Sequence, residues 1–174
     1  RAEVPGADVA LVPHPGAAVA VAPEQVRALR ARLGFAPSDV VVGVFGLLTP
    51  EKRLETVARA VARGAAWDPR LRLMLAGPPA DAPRLESLLE RHGLRGRAVA
   101  TGRVPLAELA AHVEAADVVA HLRYPTARET SGALLRVLAQ GRATVVSDLE
   151  HQADIPEDAV VRAVTVPVTL KIRT

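Results

Sequence analysis

The sequence predicts an α/β protein, a three-layer sandwich with helices on both faces of a mostly parallel sheet of about six strands. Three observations predict it. Short β-branched runs alternate along the chain with longer segments of helical period. Several of the runs are apolar at consecutive positions, as strands buried on both faces are. Glycine and proline clusters separate the two kinds of segment, and strict alternation of this kind builds a parallel sheet through crossover helices. A length of 174 residues suits one domain, and such a chain can bury ~70% of its unfolded surface without disulfide staples. The expected boundaries are a domain over 1–166 and a tail over 167–174.

The elements follow in order. Val9 to Val12 is a short strand candidate, followed by the turn-rich Pro13-His14-Pro15-Gly16. Pro23 to Leu33 reads as a helix, with proline in the first turn, Val26, Leu29 and Leu33 on one face and Gly34 as its stop. Asp39 to Phe45 is nearly continuous valine and reads as a buried strand. A helix is expected from about Glu51 to Arg63, because Leu54, Val57, Ala58 and Val61 share one face. Leu71 to Ala76 is a strand that ends at Gly77-Pro78-Pro79. Asp81 can cap a helix running through His92, with Leu85, Leu88 and Leu89 inward and Gly93 terminating it. Then come a strand over Arg97 to Thr101, a helix over Pro105 to Ala116 and a strand over Asp117 to Leu122. A helix over Thr130 to Gln140, stopped by Gly141, and strands over Thr144 to Ser147 and Ala159 to Val164 close the pattern.

Composition narrows the function. The chain has no cysteine, which removes thiolate catalysis and cysteine zinc sites and fits a reducing, cytoplasmic compartment. No apolar run approaches the ~20 residues that span a bilayer, and the N-terminus lacks the pattern of a signal peptide. A start at Arg1 rather than Met suggests a processed or excised chain. The 22 basic residues are scattered among 19 acidic ones, and aromatics make up only 2%. Without aromatic stacking platforms, nucleic-acid binding is not expected. His14, His92, His112, His121 and His151 show no zinc-protease spacing. Asp148 and Asp154 read as a cap and a loop carboxylate rather than metal ligands.

In open parallel sheets the ligand sits beyond the carboxyl ends of the strands. Two turns there carry chemistry. In Gly46-Leu47-Leu48-Thr49-Pro50-Glu51-Lys52-Arg53, glycine permits close backbone approach, and two cations at a helix mouth suit a diphosphate. An ordinary turn with a solvated Lys-Arg pair would read the same way. In Arg123 to Gly132, Thr130 or Ser131 can cap the next helix, and Gly132 leaves its first amides unshielded for an anion. Glu129 would repel phosphate but could accept hydrogen bonds from sugar hydroxyls; a plain helix cap with a favourable acid is the alternative.

The order of these segments resembles the C-terminal domain of the retaining GT-B glycosyltransferases, a group that includes many bacterial mannosyl- and glucosyltransferases. The pieces are Val12 to Gly16, Gly46 through Lys52-Arg53, Leu73 to Gly77, Thr101 to Pro105 and Ala115 to Val118. Arg123 to Thr126, Glu129 to Gly132, Leu134 to Arg136 and Val145 to Asp148 complete the series. The resemblance implies one half of a GT-B fold, a Rossmann-like domain that binds a nucleotide-diphospho-sugar for transfer of a hexose, with no metal or other cofactor. It implies Lys52 on the diphosphate beside Gly46 and Arg53, and the amides of Thr130, Ser131 and Gly132 around the phosphates. Arg103 and Val104 would read the base. Glu129 would be the catalytic carboxylate facing the donor sugar. An N-terminal acceptor-binding domain is expected as the missing partner. The fragment alone should bind donor weakly and transfer nothing, and peripheral membrane association of the full enzyme is compatible with the family.

Two positions depart from the family pattern. Leu47 stands where an arginine usually follows the first glycine, and Arg53 is the candidate to compensate. The second glutamate, about two helical turns after the first and a ribose ligand in the family, is replaced by Arg136 or Val137 according to register. These departures leave a non-catalytic nucleotide-binding or interaction module as the alternative. A sugar-nucleotide epimerase is disfavoured by the missing dinucleotide fingerprint.

Overall fold

The computed structural model describes residues 16–164. The expected strand at Val9 to Val12, His14, the boundary at 166 and the tail 167–174 lie outside the described residues. Six strands form one parallel sheet in the order β3-β2-β1-β4-β5-β6. They are β1 (Val40–Phe45), β2 (Leu71–Ala76), β3 (Ala98–Gly102), β4 (Val118–His121), β5 (Ala143–Ser147) and β6 (Val161–Ala163). The helices are α1 (Pro23–Arg32), α2 (Leu54–Ala65), α3 (Ala82–Arg91), α4 (Leu106–Glu114) and α5 (Gly132–Ala139). Strand order reverses direction between β1 and β4. That is the switch point at which doubly wound sheets open a crevice at their carboxyl edge.

Alternate residues of β1 explain the two faces. Val41 and Phe45 join Leu29 of α1, Val113 of α4 and Val137 of α5 in one core. Val44 joins Val57, Ala58 and Val61 of α2 and Leu85 and Leu88 of α3 in the other. With only 2% aromatics, both layers are filled mainly by aliphatic side chains, with Phe35 and Phe45 in the first core. The amino edge of the sheet is tied down by polar bonds. Asp117 accepts from the Val41 amide at 2.7 Å and from Arg30 at 3.2 Å, and Arg72 pairs with Asp39 at 3.1 Å. The carboxyl edge holds the loops described below.

Most boundaries fall within two residues of those read from the sequence, but the helix expected from Glu51 is different. Pro50–Lys52 forms a single 3-10 turn, Arg53 adopts a left-handed conformation (φ 54°), and α2 begins only at Leu54. One left-handed residue interrupts the helical ladder, so Lys52 and Arg53 leave in different directions. The helix expected from Thr130 begins at Gly132, with Ser131 as its cap.

Candidate functional site

The loop after β1 is shaped by close backbone contact. The Gly46 amide donates to Ala76 O at 3.0 Å and the Leu48 amide to Pro78 O at 2.9 Å. A Cβ on Gly77 would lie 2.0 Å from Gly46 O, so only glycine fits there. Gly46 itself has φ 88°, a conformation open to glycine at no steric cost. The 3-10 turn then carries Lys52 back over the end of β1, where Nζ donates to Phe45 O at 2.7 Å. Lys52 is only 6% exposed. Burial, and secondarily the charge of Arg123, pull its pKa down to about 8.

Across the switch point, β4 ends at His121 and the chain continues into Arg123. The Arg123 amide donates to the hydroxyl of fully buried Ser147 at the end of β5, at 2.8 Å. The next amide, of Tyr124, donates to Glu51 O at 2.8 Å, which fastens the two loops together. His121 is 3% exposed. Burial first, then the charges of Lys52 and Arg123, push its pKa down to about 3, so the ring is neutral at pH 7. Its Nε2 and the Nε of Arg123 are buried with no hydrogen-bond partner among the described residues.

The third wall is the start of α5. Ser131 accepts from the Leu134 amide at 3.3 Å. Helix geometry leaves the amides of Gly132 and Ala133 without intrahelical acceptors. A Cβ placed on Gly46 would sit 3.6 Å from Lys52 Nζ and 3.7 Å from Ala133 Cβ. The buried ammonium and the amino end of α5 therefore flank the same glycine. A helix amino terminus and an ammonium on two sides of one exposed backbone turn make a receptor for an anion of phosphate size.

Glu129 lies in the loop leading to that helix and does not stand free. One carboxylate oxygen accepts from Thr126 Oγ1 at 3.0 Å and from the Ala127 amide at 2.9 Å. The other pairs with the Arg123 guanidinium. Its own amide, then the Thr126 hydroxyl and the Arg123 charge, hold it below the usual carboxylate range.

The remaining expected residues divide. Thr130 is exposed, immediately before the cap. Arg53 is turned aside: its guanidinium lies 5.8 Å from the Tyr124 ring centroid. It lines a cleft of about 570 Å³ with Arg59, Arg84 and Leu88 between α2 and α3. Arg103 is exposed in the turn after β3, two strands from β1, and the neighbouring Val104 packs against the core. Arg136 donates to Gly132 O at 2.9 Å and lines a cleft of about 320 Å³ with Leu106, Leu109 and Gln140. Val137 is fully buried, so of the two register alternatives Arg136 is the one that reaches an open surface. Leu47 is 55% exposed at the rim.

Sequence reasoning missed Arg123, His121 and Ser147 as parts of this cluster. The available signal was the change from apolar Val118-Val119-Ala120 to His121 and Arg123 where β4 reaches the carboxyl edge. No group of three or more histidine, cysteine or acidic residues that could hold a metal occurs among the described residues. No helix among them is long and apolar enough to cross a membrane.

The fold and the cluster together define a doubly wound α/β domain with a cationic, amide-lined crevice at its switch point. Residues 39–169 match the family described as Glycosyl transferases group 1, and the chain belongs to that family. No curated protein sequence matches it. Among solved structures, the chain is similar to Anabaena HepE in complex with UDP-glucose, with TM-score 0.71 and 23% identity over 85% of this chain and 40% of that one. It is similar to WaaG, a glycosyltransferase involved in lipopolysaccharide biosynthesis, with TM-score 0.70 and 17% identity over 86% of this chain and 42% of that one. A third similar structure is the C-terminal domain of a group 1 family protein, LpcC, from Francisella tularensis. There the TM-score is 0.67 and the identity 14%, over 84% of this chain and 76% of that domain. The chain thus spans about 40% of the length of the HepE and WaaG chains. At these identities the likeness is one of fold.

Proposed function

We propose that this chain is the donor-binding domain of a hexosyltransferase that holds a nucleotide-diphospho-sugar, with an acceptor bound by a separate domain. The observation that carries the reading is the meeting of Lys52 Nζ and the amino end of α5 on either side of Gly46. Negative charge grows on the diphosphate as the sugar–oxygen bond breaks. Fixed donors already aimed at it therefore stabilise the transition state more than the ground state. One charge-assisted bond from Lys52 is worth ~1.5–3 kcal/mol. With Lys52, the α5 amides and Arg123 supplying the positive field, no metal ion is required. Ser131 and Gly132 would line the phosphates and Glu129 the sugar. Arg136 would stand near the ribose and the Arg103-Val104 turn near the base. Retention of anomeric configuration and a cytoplasmic, bacterial setting are proposed on the family resemblance. HepE with its UDP-glucose is the parallel for a nucleotide sugar.

Calorimetric titration with UDP, GDP, ADP and their sugars tests the reading. Binding of at least one of them, weakened at least tenfold by Lys52→Ala, is expected, with no sugar transfer by this chain alone. Absence of binding to all of them overturns it. A non-catalytic module of the same fold is the second reading, favoured by Leu47 at the rim and by the engagement of Glu129 with Arg123. It predicts nucleotide binding without transfer even when an acceptor domain is supplied.

A further inference from the structure

The site contains an acid and a base that satisfy each other where a ligand would need both. Glu129 and Arg123 are ion-paired, and the remaining Glu129 oxygen is held by Thr126 and the Ala127 amide. Lys52, by contrast, pairs with no acid among the described residues and donates only to a carbonyl. The Arg123 backbone is anchored to Ser147, while its side chain is held by the ion pair with Glu129. The guanidinium can therefore swing without disturbing β4, and its Nε is buried without a partner. Its charge acts on both Lys52 and His121, which places it within electrostatic reach of the crevice. Arg53, the expected substitute for the missing rim arginine, and Arg123 differ sharply. Arg53 faces the cleft between α2 and α3 over Tyr124, whereas Arg123 faces Glu129 and the loop that leads into α5.

We infer that Arg123 supplies the second cation on the donor diphosphate, and that it does so by exchanging Glu129 for phosphate. This rests on the proposed binding of a nucleotide diphosphate at Lys52. In the structure the Arg123–Glu129 pair neutralises both groups. An entering diphosphate takes the guanidinium in bidentate fashion, which carboxylates and phosphates both accept from arginine. The same event releases one oxygen of Glu129 toward the sugar hydroxyls. Diphosphate recognition and sugar recognition are thereby coupled through a single ion pair, and Arg123 is a binding residue at a position where the sequence pattern suggested none.

The experiment is a double-mutant cycle on the whole 174-residue chain, titrated with inorganic pyrophosphate, UDP, GDP and ADP. Lys52→Ala serves as the control for the site itself. Arg123→Ala should weaken binding at least tenfold, and Arg123→Lys should restore part of it. Glu129→Gln should tighten binding of the sugar-free ligands about two- to fivefold, because the guanidinium no longer has a competing partner. That gain must vanish when Glu129→Gln is made in the Arg123→Ala background. If it persists there, Glu129 merely repels phosphate and the exchange is wrong. If Lys52→Ala abolishes binding while neither Arg123 variant changes it, the exchange fails and the donor site stands. If the wild-type chain binds none of the four ligands, both fall. Thermal melts of each variant accompany the titrations. Should Arg123→Ala unfold, Arg123→Gln takes its place in the cycle with the same expectations.

Discussion

Arg128 shows how a single residue can be out of step with its backbone. It has φ 65° in the loop before α5, in the left-handed region, and its side chain pairs with Glu150 on the surface. A left-handed conformation costs a side-chain-bearing residue roughly 1–2 kcal/mol, whereas an exposed ion pair returns at most about 1 kcal/mol. Glycine would also lose ~0.5–1 kcal/mol through the extra freedom of its unfolded chain. Arg128→Gly should therefore stay within about 1 kcal/mol of the wild type in urea denaturation at low salt, and should be neutral to stabilising at high salt, where the pair is screened. A loss of stability at high salt would refute the account. Lys52 is out of step for another reason, because it is a cation buried against a carbonyl. Lys52→Met should stabilise the protein by about 1–2 kcal/mol at pH 7, the usual result of replacing a desolvated charge by an apolar side chain. The same variant should no longer bind pyrophosphate. Stability rising as binding disappears is the signature of a residue kept for its ligand. Lys52 was legible from sequence as a cation after a buried strand. Its burial was not, because the left-handed turn at Arg53 that directs it is not written in any residue-type preference.

At the scale of elements, the strands were the easiest to read. β1 and β2 are buried on both faces toward their carboxyl ends, so Val44-Phe45 and Leu73-Met74-Leu75-Ala76 are apolar at consecutive positions. β6 was harder to bound, since Val161 is exposed and only three residues pair. Helix ends were read correctly where a cap chemistry exists, as at Asp81, whose side chain accepts from the Arg84 amide. Of the site, both loops and the start of α5 were found from sequence. Arg123, His121 and Ser147 were not, because their meeting depends on β4 lying beside β1 and β5, a fact of sheet order rather than of spacing. The amino end of α5 allows a test that separates stability from recognition. Ser131→Ala removes the cap and should cost ~1 kcal/mol. Ser131→Asp keeps the cap and favours the helix dipole, so stability should hold or rise slightly. If the α5 amides face a phosphate, the same aspartate should weaken nucleotide binding more than alanine does. Equal affinity in the two variants would move the anion away from α5.

For the whole molecule, buried Lys52 and buried His121 dictate an unusual dependence of stability on pH. His121 titrates near 3 in the folded protein and near 6.5 when unfolded. Between those values the unfolded chain holds the extra proton, so stability rises with pH across that window. Lys52 titrates near 8 folded and near 10.5 unfolded, and the same inequality makes stability rise again between those two values. Each limb can slope by at most ~1.4 kcal/mol per pH unit. Carboxylates lowered by their hydrogen bonds, such as Glu51 and Glu129, add stability that is lost progressively as pH falls from the unfolded value of 4.5 through their lower folded values. The histidine limb is therefore best isolated between pH 6.5 and 5. Denaturation at pH 5, 6, 7, 8.5 and 10 should show a rise, a plateau near neutrality and a second rise. His121→Leu should flatten the first rise and Lys52→Met the second. Saturating pyrophosphate should flatten the upper limb, since a bound diphosphate keeps the ammonium protonated across the window in which the free protein loses that proton. Affinity should fall accordingly above pH 8 in the wild type, but not in Lys52→Arg, whose guanidinium keeps its charge. A ligand-free protein that loses stability steadily from pH 8 to 10, with Lys52→Met behaving alike, would mean that Lys52 is solvated rather than buried. The ammonium would then be an ordinary surface charge, and the anion receptor built around Gly46 would lose its central donor.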